Sequence, residues 1–187
     1  GKTPLGDKKE SIFDADFVTV NPYLGSDGIK PFIKDCIEYG KGIFIILKTS
    51  NPSSGELQNV ITENGEEIYK HMAKLINDWG KDLIGENGYS SVSVVVGATH
   101  PRELEELREL MPNAFFLIPG YGAQGGKAED IALGFDKEGI GGIINASRSL
   151  MCAYKKYNEF EEKDYAMATR REAIRMRDEL NSAIKNK

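Results

Sequence analysis

The sequence predicts an α/β protein built on a parallel sheet, and two observations carry that expectation. Five short apolar runs rich in β-branched or aromatic residues punctuate the chain, at 17–20, 43–47, 92–96, 115–118 and 142–144. They are continuous rather than alternating, which is the pattern of strands buried on both faces. Between them lie segments with helical punctuation, so the order reads β then α, repeated about five times.

The elements follow in order. The opening Gly1-Lys2-Thr3-Pro4 reads as a polar linker. After the first run, Ser26 and Asp27 can cap a helix carrying Ile29, Phe32, Ile33 and Ile37, which Gly40 ends. After the second, residues 50–65 form the longest polar stretch, read as a mobile active-site loop. Residues 66–79 then place Ile68, Met72, Leu75, Ile76 and Trp79 on one helical stripe. Pro101 suits a helix's first turn, with Leu104, Leu107 and Leu110 following at three-residue spacing. The charged run at 102–109 reads as that helix's solvated face. A last helix over 159–184 shows Ala166, Thr169, Ala173, Met176, Leu180 and Ala183 along one side. No repeat or internal boundary interrupts this order, so residues 1–187 read as a single domain.

Composition narrows the function. The chain is 40% hydrophobic and 28% charged, ordinary for a globular protein. A net charge of −5 argues against a nucleic-acid or membrane-surface partner, because both need a basic face. Any anion must therefore be held by a local arrangement. Cys36 and Cys152 are far apart and each sits among apolar neighbours, so both read as small buried thiols. With no leader-like or membrane-spanning run, the expected setting is a reducing cytoplasm.

In parallel α/β folds, function collects at the carboxyl ends of strands. The fourth run ends in Pro119-Gly120-Tyr121-Gly122-Ala123-Gln124-Gly125-Gly126. Its glycines remove the side chains that would keep backbone N–H groups from an anion, and Gln124 adds an amide donor. A tight turn without a ligand is the plain alternative. The fifth run ends in Asn145-Ala146-Ser147-Arg148-Ser149, where a guanidinium directly after a buried strand needs an anionic partner. A salt bridge would satisfy it; so would a phosphate. Asn21 and Ser50 either shape turns or present hydrogen bonds to a polar ring. Lys48 stands at a strand end as a catalytic lysine or as part of the wall. His71 and His100 read as solvated or capping residues, and no residues suggest a metal site.

Together, Val18-Thr19-Val20-Asn21-Pro22-Tyr23-Leu24-Gly25, Lys48-Thr49-Ser50-Asn51-Pro52, Val95-Val96-Gly97-Ala98-Thr99 and the two loops just quoted resemble orotidine 5′-phosphate decarboxylase, nearest its type 2 branch. The resemblance runs over residues 13–154. It implies a cofactor-free (β/α)8 TIM barrel that converts orotidine 5′-phosphate (OMP) to UMP and CO2 in pyrimidine biosynthesis, acting as a homodimer. It implies that Gln124 and Arg148 bind the substrate phosphate, with backbone N–H groups near Ser147 and Arg148 completing the cradle. By the same resemblance Ser50 bonds the pyrimidine, Pro119 and Tyr121 line the ring pocket and its lid, and Asn21 lies at the barrel mouth. The family's catalytic Asp-x-Lys-x-x-Asp motif does not occur in these residues. The expectation is that this chain supplies roughly the last five β/α units, that the N-terminal units with the catalytic residues lie upstream, and that the chain alone is inactive. Three further units of ~30 residues would bring the length near the ~250 of such barrels. Two other readings remain: another phosphate-binding barrel enzyme of this superfamily, and an open five-stranded sheet that binds a phosphorylated ligand without catalysis. Strand order separates the open sheet from the barrel.

Overall fold

The computed structural model describes residues 3–10, 13–122 and 125–187. Strands β1 (Thr3–Leu5) and β2 (Lys8–Glu10) pair antiparallel around Gly6, whose φ of 61° suits a tight turn. The stretch read as a linker therefore enters a hairpin.

The main body is a five-stranded sheet of β3 (Phe17–Val20), β4 (Gly42–Lys48), β5 (Ser90–Val96), β6 (Ala114–Pro119) and β7 (Gly142–Asn145). All neighbours are parallel and the spatial order equals the chain order. A sequential parallel order is that of a barrel wall, whereas an open doubly wound sheet reverses direction at a switch point. The open-sheet reading fails on this point.

Helices α1 (Ser26–Tyr39), α2 (Gly55–Gln58), α3 (Ile68–Gly80), α4 (Pro101–Leu110), α5 (Ala128–Ala132), α6 (Arg148–Met151) and α7 (Tyr165–Lys185) fill the connections. The core forms where Ile43, Ile45, Val92, Val94, Phe116 and Ile118 meet Ile29, Ala73, Ile76, Leu104, Leu107 and Ile131. These strand residues alternate along each strand, so they define one face of the sheet. The opposite face is less covered. Phe115 and Leu117 are half-buried, and Phe17 and Ile143 are exposed. Burial on both faces, as the continuous apolar runs predict, is thus met in β4 and β5 but not in β3 or β7. On the less covered face, Phe17 lies across Gly42, where a Cβ would come within 2.3 Å of its ring, and stacks on Phe44 at 4.7 Å.

Several helix faces differ from expectation. In α1 the buried residues are Ile29 and Cys36, with Ile33 packed against the core, while Phe32 and Ile37 are exposed. This helix packs against β4, and its flanks stay in water. In α7 the buried stripe is Ala168, Glu172, Met176 and Leu180, and Ala166 and Ala173 are exposed. Cys36 is buried, but Cys152 is exposed because the short α6 turn carries it outward. Residues 50–65 are not a bare loop. They form a 3-10 turn at Pro52–Ser54, then α2, and Gln58 ties them back by accepting from Thr49 N at 3.0 Å and donating to Thr49 Oγ1 at 2.8 Å.

Arg108 overturns the reading of 102–109 as wholly solvated. It is 7% exposed and reaches under the sheet's amino end. There its guanidinium donates to the carbonyls of Gly134, Met111, Ala114 and Gly141 at 2.9, 3.2, 2.9 and 2.9 Å. Its carbon centre also sits 3.7 Å from the centre of the Phe116 ring. Burial lowers its pKa to about 10, against the opposing fields of Tyr89 and Asp136.

Candidate functional site

Because the strands are parallel, their carboxyl ends share one rim, and the loops there are sewn together. Ser50, two residues past β4, donates from Oγ to Pro119 O at 3.3 Å. Thr99 Oγ1 donates to Ser50 O at 3.3 Å, Ala98 N to Pro119 O at 2.8 Å, and Gly97 N to Lys48 O at 2.8 Å. The approach is possible only because residue 97 lacks a side chain: a Cβ there would lie 2.2 Å from Ser50 Oγ. Ser50 and Pro119, predicted to share a site, are in direct contact.

The glycine loop folds into a compact knot. Gly126 N donates to Gly120 O at 3.2 Å, Gly122 N to Gly126 O at 3.0 Å, and Gly125 N to Gly122 O at 3.0 Å. Gly120, Gly122 and Gly125 take φ of 105°, 69° and 95°, values that a side chain resists. A Cβ on Gly126 would fall 2.7 Å from Ala98 Cβ, so the knot also packs on the β5 loop. Ala123 and Gln124 lie outside the described residues, and with them the predicted amide contact. Tyr121 is turned inward: it is buried in the core, and the charged groups facing its hydroxyl are Glu179 and Arg175 on α7. Its place is beneath the knot.

The neighbouring strand brings the arginine. Asn145 pairs with Pro119 across the β6–β7 register, so Ser147 and Arg148 emerge beside the Ser50–Pro119 contact. Ser147 stands at the N-cap position of α6 without a side-chain capping bond, Arg148 is the helix's first residue, and both are exposed. Arg148 makes no ion pair or hydrogen bond with the described residues. The salt-bridge alternative therefore finds no partner there, and the guanidinium is free for an anion. Asn21, just past the edge strand β3, accepts from Tyr23 N at 2.9 Å in a local turn.

Lys48 does not face this rim. A register shift between Ile46 and Lys48 sets it level with Val96, on the helix side of the sheet. There it is 1% exposed, donates to Asn59 Oδ1 at 2.6 Å and lies 5.3 Å from the centre of the Tyr69 ring. Burial lowers its pKa, opposed by Glu103 and Glu67. Its position makes it part of the wall rather than of the mouth.

Among the described residues, the buried side-chain polar atoms without a hydrogen-bond partner are His100 Nε2, Tyr121 Oη and Ser149 Oγ. All three belong to the loops after β5, β6 and β7. Such atoms are rare in folded proteins and call for a reason; here they mark the same rim as the glycine knot and Arg148. His100 is half-buried at the N-cap position of α4, but its side chain makes no capping bond there. Gly97 and Thr99 were legible only as a quoted motif, because their importance lies in contacts between loops.

The model of the orotidine 5′-phosphate decarboxylase / HUMPS family matches residues 8–162. Orotidine 5′-phosphate decarboxylase of Caldicellulosiruptor bescii is 44% identical over 98% of this chain, which spans 59% of that protein. The Clostridium tetani enzyme of the same name is 44% identical over 95% of this chain and 61% of its own length. Among solved structures, Leishmania donovani OMP decarboxylase superposes with a TM-score of 0.67 at 29% identity, covering 91% of this chain and 58% of that one. The chain thus spans about three fifths of the length of the curated relatives it matches.

Proposed function

The chain belongs to the orotidine 5′-phosphate decarboxylase / HUMPS family, and from that premise we propose that it is the phosphate- and pyrimidine-holding part of an enzyme that converts OMP to UMP and CO2. The observation that carries this reading is the 44% identity to a decarboxylase along nearly the whole chain. The rim geometry supports it, because an unpaired arginine and a glycine knot flank a Ser50–Pro119 floor.

In this reading Arg148 and Gln124 hold the phosphate with the backbone at Ser147. Ser50 and Pro119 meet the pyrimidine. Tyr121 anchors the knot from below, and Asn21 shapes the far side of the mouth. The phosphate is remote from the bond that breaks, so binding it serves to position the ring and close the site. The lysine and aspartates of the family's Asp-x-Lys-x-x-Asp motif lie in the part of the relatives' length that this chain does not span. We place the protein in the type 2 branch, as a cytoplasmic homodimer built on complete (β/α)8 barrels.

Calorimetric titration of the full-length protein with UMP tests the grip. Arg148→Ala is expected to weaken binding by at least ~1.5 kcal/mol, the value of a hydrogen bond to a charged group. Equal affinity in the two proteins would remove Arg148 from the site.

A further inference from the structure

The two segments that build the proposed phosphate site, the glycine knot and the α6 turn, both rest on one stripe of α7. Glu172, Arg175 and Glu179 are spaced three and four residues apart and so line one side of the helix. Glu172 is the centre. Only 2% of it is exposed, yet it is a carboxylate surrounded by donors. Lys156 Nζ reaches both its oxygens at 2.9 Å, Tyr157 donates at 2.6 Å, and Arg175 donates from Nε at 3.1 Å and from a terminal nitrogen at 2.8 Å. Burial alone would raise its pKa, but the bonds from Arg175, Tyr157 and Lys156 outweigh it and hold the group at about 2.

From this centre a network extends towards both loops. Arg175 continues to Glu179 as an ion pair, and these two are the charged groups nearest in effect to the buried Tyr121 hydroxyl, which has no hydrogen-bond partner among the described residues. On the other side, Lys156 and Tyr157 end the segment that leaves α6 through buried Ala153. One turn earlier on α7, Thr169 Oγ1 donates to Leu150 O in α6 at 2.8 Å. A helix of four residues cannot hold itself in water, so α6 takes its position from these supports.

We propose that Glu172 is a positioning residue for the substrate phosphate, holding the α6 turn and its Arg148 in register with the glycine knot through Lys156, Tyr157 and Arg175. This rests on the reading of Arg148 as a phosphate ligand. Glu172 touches no substrate atom; it acts through Arg148.

A double-mutant cycle on the full-length protein, read as UMP affinity by calorimetry, tests this. Glu172→Gln keeps the volume and removes the charge. It is expected to raise Kd on the order of fivefold, and to add less than about twofold when Arg148→Ala is already present. Tyr157→Phe removes one donor without disturbing the helix, and a smaller rise in Kd with the same dependence on Arg148 is expected. A merely structural role would cost the same factor in both backgrounds, and that result overturns the proposal. So does an unchanged Kd for Glu172→Gln. If the unaltered protein and Arg148→Ala bind UMP equally, the reading of Arg148 falls and the proposal falls with it.

Discussion

At the scale of single residues, Arg108 and Lys48 show how far a charge can depart from its apparent place. Both sit in polar stretches of sequence and both are buried. Arg108 closes the amino end of the sheet by bonding four carbonyls from three segments, so its loss would leave those acceptors unpaired. Arg108→Met in the full-length protein is expected to lower the unfolding free energy by at least ~3 kcal/mol, since unpaired buried groups cost about 1–3 kcal/mol each. Chemical denaturation measures this, and a loss under ~1 kcal/mol would deny the staple its role. The charge pattern did not announce Arg108: the 102–109 run looks like a solvated face, and two of the four carbonyls it serves come from residues 26 and 33 positions away. That Ser50, Pro119 and Arg148 share one rim was legible because strand ends in a parallel sheet converge by construction. Tyr121 was misjudged in direction, since a loop sequence does not say which side chains fold beneath it.

At the scale of elements, strands were read closely and helix faces less so. The runs at 17–20, 43–47, 92–96, 115–118 and 142–144 all lie within observed strands. Apolar periodicity gives a helix a greasy side, but it says nothing of a buried carboxylate. In α7 the buried stripe includes Glu172, two of whose partners, Lys156 and Tyr157, lie before the helix begins. That carboxylate has a signature in acid. Its folded pKa of about 2 lies below the ordinary 4.5. The stabilisation it gives is therefore present above ~4.5 and fades as pH falls through the folded value, at most about 3 kcal/mol in all. Thermal unfolding of the full-length protein between pH 5 and 2.5 is expected to fall more steeply than that of Glu172→Gln. Parallel curves would show that the carboxylate is not held as described.

At the scale of the whole molecule, five sequential parallel strands make a wall rather than a closed barrel. The face turned from the helices still shows Phe17 and Ile143, and the edge strands β3 and β7 have free ladder groups on their outer sides. A wall with an apolar inner face fits the (β/α)8 fold of the family, and the relatives, of which this chain spans 59% and 61%, are long enough to hold the further units such closure needs. The barrel itself was legible only through the resemblance, because five apolar runs suit an open sheet equally well until strand order is known. The division of labour proposed above is that these residues hold the phosphate and ring while the residues that break the bond lie in the remainder of the barrel. Release of CO2 from carboxyl-labelled OMP, measured for the full-length protein and for residues 1–187 alone, tests it most directly. The account predicts release by the full-length protein and none by residues 1–187 alone; release by the shorter chain, or none from the full-length protein, would contradict it.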